Sequence, residues 1–175
     1  MGKKKKDTME LRFYEVPQGE YVLALLGDNW IRDYGHDESN LHFHNLMEIG
    51  YCKTGELILN EETKRYEPAM VSIIPQNYPH VTISDIAEGP SYWEYLFFDP
   101  MVMIQELYPD NAVMQKKVLQ MINRKALFFH EWENRGISVL VKMLMDEMRQ
   151  KKSHFNDCVR GLLIAFFTEL LRMCE

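Results

Sequence analysis

The apolar positions of this chain change their period near residue 99. Up to Phe98, short apolar runs alternate with clusters of Gly, Pro, Asn and Asp. That pattern predicts β-strands over 11–15, 21–26, 42–52, 56–60, 70–74, 81–84 and 92–98. Turn residues stand between them at Pro17-Gln18-Gly19, Gly27-Asp28-Asn29, Lys53-Thr54-Gly55, Asn60-Glu61-Glu62 and Gly89-Pro90. Many short strands at this spacing describe an antiparallel barrel or a sandwich, and periodicity alone does not separate the two.

Beyond Asp99-Pro100 the period becomes helical. Asp is a good N-cap and Pro is favoured at the first helical position, so a helix is expected to begin there. Further helices are predicted over 112–122, 135–150 and 154–173, with Leu127-Phe128-Phe129 as one more short strand among them. In the last helix Phe155, Val159, Leu162, Phe166, Leu170 and Met173 recur at steps of three and four. Leu163, Ile164, Phe167 and Leu171 add a second apolar stripe. A helix apolar on two sides is buried on two sides. With few other layers to cover the second stripe, another copy of the chain is the expected partner, the alternative being a helix buried wholly within one chain. The pattern is still helical at Glu175, without glycine cap or polar tail, as in a piece of a longer protein cut at a linker. The expected organisation is a disordered basic tail over 1–10, a barrel over 11–98 and a helical dimerisation segment over 99–175.

Composition narrows the function classes. With 46% hydrophobic and 26% charged residues in 175, the chain can bury one real core. A net charge of −6 argues against direct phosphate contacts, which need a basic surface. The one basic cluster, Lys3 to Lys6, lies at the terminus, where disorder is the default. Three cysteines without a CxxC pair exclude a disulfide framework and fit a reducing cytoplasm. No apolar stretch follows the N-terminal lysines, so no signal peptide is expected. The longest apolar run, 162–171, is too short for a membrane span and carries Glu169. A soluble, cytoplasmic protein is expected.

The chemistry concentrates in two places. His42 and His44 are two residues apart on a predicted strand and so share a face, and Glu48 joins them if the strand stays regular. His80 reaches the same place only in a closed sheet. Three imidazoles and a carboxylate suit a divalent metal, a polar ligand or a satisfied hydrogen-bond network. Trp93, Tyr95 and Phe97 share a strand face too. Trp93 and Tyr95, each with a polar tip, are candidate ligand-binding residues that would stack on a sugar ring or planar metabolite. Phe97 serves equally as core, and Trp30 and Tyr51 are weaker candidates. His36, His130, His154 and Trp132 are assigned no function. The chain has no Ser-His-Asp constellation, P-loop, GxGxxG or zinc-finger spacing.

These spacings resemble the two motifs of the cupin barrel. His42-x-His44-x3-Glu48-x6-Gly55 follows the first, with its leading glycine displaced by one, at Gly35. Ala69-x5-Pro75-x-Asn77-x2-His80 follows the second but loses both glycines, and Ser84 replaces the closing asparagine. Asn77 can hold the same turn because Asn tolerates positive φ. The resemblance implies a mainly β fold with α: a cupin-like, double-stranded β-helix or jelly-roll barrel followed by a C-terminal helical segment. It implies His42, His44, Glu48 and His80 as ligands of Zn, Ni, Fe or Mn, or as contacts to an organic ligand.

A barrel followed by helices, with Phe97-Phe98-Asp99-Pro100 at the junction, further resembles the N-terminal half of AraC-type transcription regulators. That resemblance implies a small-molecule effector, possibly a sugar, in the barrel and an N-terminal arm over 1–20. It also implies homodimerisation through the C-terminal helices, and DNA contact only through a separate domain absent from this sequence. No membrane partner is implied. The competing class is a small metal-dependent cupin enzyme, a dioxygenase or isomerase.

Overall fold

The computed structural model describes residues 9–59, 62–84, 86–87 and 89–175. Lys3 to Lys6 of the expected tail, and Asn60 and Glu61 of an expected turn, lie outside the described residues. The first strands are β1 (Glu10–Arg12), β2 (Leu23–Leu25), β3 (Ile31–Arg32), β4 (His42–His44) and β5 (Met47–Leu59). They are followed by β6 (Glu62–Tyr66), β7 (Met70–Ile74), β8 (His80–Ile83) and β9 (Ser91–Phe98). Then come α1 (Pro100–Leu107), α2 (Ala112–Ile122), β10 (Leu127–His130), α3 (Arg135–Gln150) and α4 (Phe155–Cys174).

The strands form two sheets that share β5. Its first half pairs with β9 and β7, and its second half with β6 and β8, all antiparallel. β2 and β3 extend the first sheet beyond β9, and β10 extends it beyond β7. β4 joins the second sheet beside β8, with β1 parallel to it. The expected turn at Lys53-Thr54-Gly55 is therefore strand. A register shift between Cys52 and Thr54 bends β5 from one sheet into the other, as a bulge does. The expected single strand over 42–52 is split. The Asn45 side chain bonds both backbone groups of Tyr14, and Asn77 N–H donates to the His44 carbonyl (2.8 Å), so the chain breaks pairing between β4 and β5. β3 is two residues long and β6 reads Glu-Thr-Lys-Arg-Tyr, so neither has an apolar alternation to announce it.

Alternation along the shared sheet separates two interiors. Met47, Ile49, Tyr51, Val71, Ile73, Leu96 and Phe98 face the helices and pack with Ile104, Val118, Val141, Leu144, Phe166 and Phe167. Cys52, Ile74, Trp93, Tyr95 and Phe97 face the other way. Gly50 is required between them: a Cβ there would lie 2.3 Å from Ser72 Oγ and 3.4 Å from the Trp93 ring. The helices start as their caps direct, since Asp99 accepts from Met101 N–H and Asn111 from Met114 N–H.

α4 departs from expectation. Of its second stripe, Leu163, Phe167 and Leu171 are buried within this one chain, alongside Val159, Phe166 and Leu170 of the first. The β-sheet takes one side, through the edge-on contact of Phe98 with Phe166, and α2 and α3 take another. The two-sided helix thus needs no second copy to explain it. Among the described residues no helix is long and apolar enough to cross a membrane.

An ion pair between a buried carboxylate and an exposed arginine ties the sheet to the helices. Glu94 of β9 accepts from Arg149 of α3, from Gly27 N–H (3.2 Å) and from Tyr92 Oη–H (3.1 Å). Burial alone would raise the carboxyl pKa. The Arg149 hydrogen bond and the Gly27 N–H outweigh it and hold the group below its ordinary range.

Two of the positions where the motif loses glycine keep the left-handed backbone: Asn77 at φ 59° and Ala69 at φ 71°. Asn tolerates that conformation and alanine does not. Ala69→Gly is therefore expected to stabilise the fold by about 1 kcal/mol, while Asn77→Gly changes little. Urea unfolding at constant slope measures both.

Candidate functional site

The inner face of the sheets lines a half-open cavity of about 280 Å³. β1 contributes Arg12, and Tyr14 follows it; β2 contributes Leu25. The segment from Trp30 through Arg32 to Tyr34 forms one wall, and Tyr95 and Phe97 of β9 form another. His42, Glu48, His80 and Thr82 complete the lining from β4, β5 and β8. Each inward residue is two positions from the next on its strand, as the pleat requires.

At one end lie the histidines and the carboxylate. His42 and His80 are direct cross-strand neighbours, with ring centroids 4.4 Å apart. All three rings are anchored by Nδ1 to a carbonyl two residues away: His42 to Asn40 (3.0 Å), His44 to Leu46 (2.6 Å) and His80 to Tyr78 (2.8 Å). Nδ1 is then the donor, so each Nε2 presents its lone pair unless the ring is charged. The Nε2 atoms of His44 and His80 point at the same oxygen, Glu48 Oε2, at 3.2 and 3.5 Å. The side chains of His44, Glu48 and His80 are all buried, and among the described residues His80 Nε2 has no hydrogen-bond partner. Three acceptors meeting in a buried place require a proton or a cation among them.

His44, Glu48 and His80 fit a divalent ion. Their ligand atoms lie within 4.8 Å of one another, and the Nδ1–H anchors are the outer-shell contacts that metal-binding imidazoles use. His42 does not join them. Its Nε2 faces Arg12 Nη1 at 3.3 Å. Burial, the His80 charge and Arg12 together push its pKa down to about 3, so it is a neutral acceptor. For Glu48, burial would raise the carboxyl pKa, but the His80 charge and the His44 hydrogen bond hold it below the usual carboxylate range.

The opposite end is aromatic and cationic. The Arg32 guanidinium lies 4.4 Å from the Trp30 ring centroid and 4.8 Å from that of Tyr34. Trp30 meets Tyr95 edge-on at 5.9 Å. Burial raises the Tyr95 pKa well above the ordinary value, so its hydroxyl stays neutral and shares a hydrogen bond with Thr82 Oγ1 (3.2 Å).

The fold thus brings His42, His44, Glu48, His80 and Tyr95 together. Trp93 lies in the core behind them, stacked parallel to Tyr95 at 6.1 Å and 1% exposed, off the cavity wall. Trp30 lines the cavity, whereas Tyr51 faces the helices and bonds Glu131 (3.3 Å). Sequence reasoning missed Arg12, Arg32, Tyr34 and Thr82. A signal existed: Trp30, Arg32 and Tyr34 alternate, and Thr82 is two residues from His80.

No family model matches the sequence, and neither do the curated proteins. Solved structures are similar in fold. ToxT from Vibrio cholerae superposes with a TM-score of 0.52 at 9% identity, covering 88% of this chain and 57% of that one. The AraC-like transcriptional activator CuxR has a TM-score of 0.42 at 11% identity, over 71% of this chain and 42% of CuxR. ToxT bound to (E)-4-(8-methylnaphthalen-1-yl)but-3-enoic acid has a TM-score of 0.46 at 12% identity, over 87% and 56%. The domain is a mixed β and α structure with the fold seen in ToxT. The chain spans about half the length of these proteins.

The carboxylate shared by two imidazoles gives a stability prediction. Glu48→Ala strands the Nε2 atoms of His44 and His80 and is expected to cost about 3 kcal/mol. His42→Ala, which removes one neutral acceptor, is expected to cost nearer 1 kcal/mol. Chemical denaturation of the two variants checks the order.

Proposed function

We propose that this chain is the effector-sensing and dimerisation part of an AraC-type transcriptional regulator. In this reading its two sheets form a cupin-like barrel that takes a small molecule, and the protein is a regulator rather than an enzyme. One observation carries the reading: a half-open, polar and aromatic cavity lies on the inner face of the same sheet whose outer face carries the helices. β9 holds Tyr95 and Phe97 on the cavity side and Glu94, Leu96 and Phe98 on the helix side. Glu94 also holds Gly27, at the start of the Trp30 wall. A ligand that favours one position of Trp30 or Arg32 then acts on α3 through the Glu94–Arg149 pair. DNA contact belongs to a domain outside this sequence, and the chain pairs with a second copy through its C-terminal helices. The least covered face of α4 carries exposed Cys158 and Gly161 with half-buried Leu162, Ala165 and Thr168, and its small residues allow close approach. Sedimentation should report a dimer for the parent chain and a monomer for Ala165→Glu, with unchanged circular dichroism. A monomeric parent chain would remove the dimerisation part.

The orphaned His80 Nε2 favours a second reading of the same cavity, in which a divalent ion is held by His44, Glu48 and His80. Such an ion would supply Lewis-acid chemistry, and it is the basis of the competing enzyme class. Elemental analysis of the untagged chain separates the readings. Stoichiometric metal lost in His80→Ala and kept in His42→Ala supports the ion, and a metal-free folded chain removes it.

A further inference from the structure

We infer that strand β1 pairs edge to edge with β1 of a second copy of this chain, antiparallel and centred on Leu11, with Glu10 facing the partner's Arg12. This contact is separate from the α4 pairing proposed above and does not depend on what fills the cavity. β1 is a terminal strand of its sheet and pairs on one side only, with β4. Alternation decides which backbone groups are left over. Glu10 N–H donates to the Leu41 carbonyl (3.1 Å), and both backbone groups of Tyr14 are taken by the Asn45 side chain. Glu10, Arg12 and Tyr14 therefore turn their N–H and C=O groups toward the chain's own sheet, and Met9, Leu11 and Phe13 turn theirs to the free edge.

Edges that must stay single carry lysine, proline or a bulge. This one carries Met9, Leu11 and Phe13, which are 45%, 54% and 67% exposed and share one face of the strand. Glu10 and Arg12 lie on the other face. The run from Met9 to Phe13 reads apolar, acidic, apolar, basic, apolar, so it complements its own reverse. An antiparallel pair centred on Leu11 sets that residue against its own copy with reciprocal hydrogen bonds, and Met9 against the partner's Phe13. It also sets Glu10 against the partner's Arg12 on each side of the centre, and unlike charges directly opposed attract. A parallel pair in register would oppose acid to acid and base to base. Glu10 already bonds Arg12 of its own chain (3.1 Å), but it is 61% exposed, so solvent screens that pair and exchanging it costs little. Arg12 also faces His42 at 3.3 Å and lines the cavity, so the contact reaches the cavity wall. A short two-stranded ladder buries far less than the about 1,000 Å² of a stable interface, so it forms between copies already held at high local concentration.

Sedimentation equilibrium of Ala165→Glu, in which α4 pairing is blocked, tests this from micromolar to millimolar chain. The expected result is a monomer when dilute that dimerises on concentration. Glu10→Arg or Arg12→Glu, added to that background, each bring like charges into opposition and should weaken the association at least tenfold. An equimolar mixture of the two brings an acidic pair against a basic pair and should restore it. Circular dichroism checks that each variant is folded. No association at millimolar chain overturns the proposal. Association that neither charge variant weakens, or that the mixture fails to restore, overturns it too. None of these results depends on whether the dilute parent chain is a dimer, which tests the α4 pairing alone.

Discussion

The bend in β5 is the constraint on which the rest of the molecule depends. One strand of 13 residues belongs to both sheets, so the two can diverge from it and leave room between their inner faces. The register shift between Cys52 and Thr54 takes up the change of direction. Everything in the cavity is placed from this strand. Glu48 sits on its first turn inward, β9 is aligned on it through seven residue pairs, and β8 carries His80 back beside it. Gly50, at its centre, lets Trp93 and Ser72 close over the backbone. A straight strand would make a flat sheet with no enclosed volume.

Within that frame the histidines are positioned by backbone rather than by each other. Each ring gives Nδ1–H to a carbonyl two residues away, which selects the tautomer and aims Nε2 inward. The same device at three places produces different results because the surroundings differ. His42 meets a guanidinium and stays neutral, whereas His44 and His80 meet a carboxylate. One end of the cavity therefore gathers imidazoles around a carboxylate. Elsewhere on its wall the Arg32 guanidinium lies against the Trp30 and Tyr34 rings. That asymmetry gives the cavity its chemical direction.

β9 links the cavity to the helices. Its alternation puts Tyr95 and Phe97 toward the cavity, and a buried carboxylate with Leu96 and Phe98 toward the helical layer. Glu94 bonds both Gly27, just before the Trp30 wall, and Arg149 of α3. Taking a charge out of water is costly unless it is fully paired, so small movements of either neighbour are felt at this point.

Local periodicity and cap chemistry determined much of this protein. The change from strands to helices at Asp99-Pro100, the pairing of His42 with His44, the inward aromatic set on β9 and the turn at Asn77 all follow from spacing or from a single residue's φ preference. Parity even survived the break at Asn45, because two residues outside the ladder preserve the alternation for Glu48. Tertiary structure decided what depends on partners distant in sequence. The turn-like Lys53-Thr54-Gly55 became strand because β9 and β6 pair on either side of it. Trp93 and Tyr95 share a face, yet only Tyr95 reaches the cavity, since Gly50 and Ser72 pack Trp93 into the core. The second stripe of α4 was covered by helices of its own chain. Arg12 and Arg32 reach the cavity only because strands β1 and β3 dock around it. A period reports which side of an element is buried, and only the assembled fold says what it is buried against.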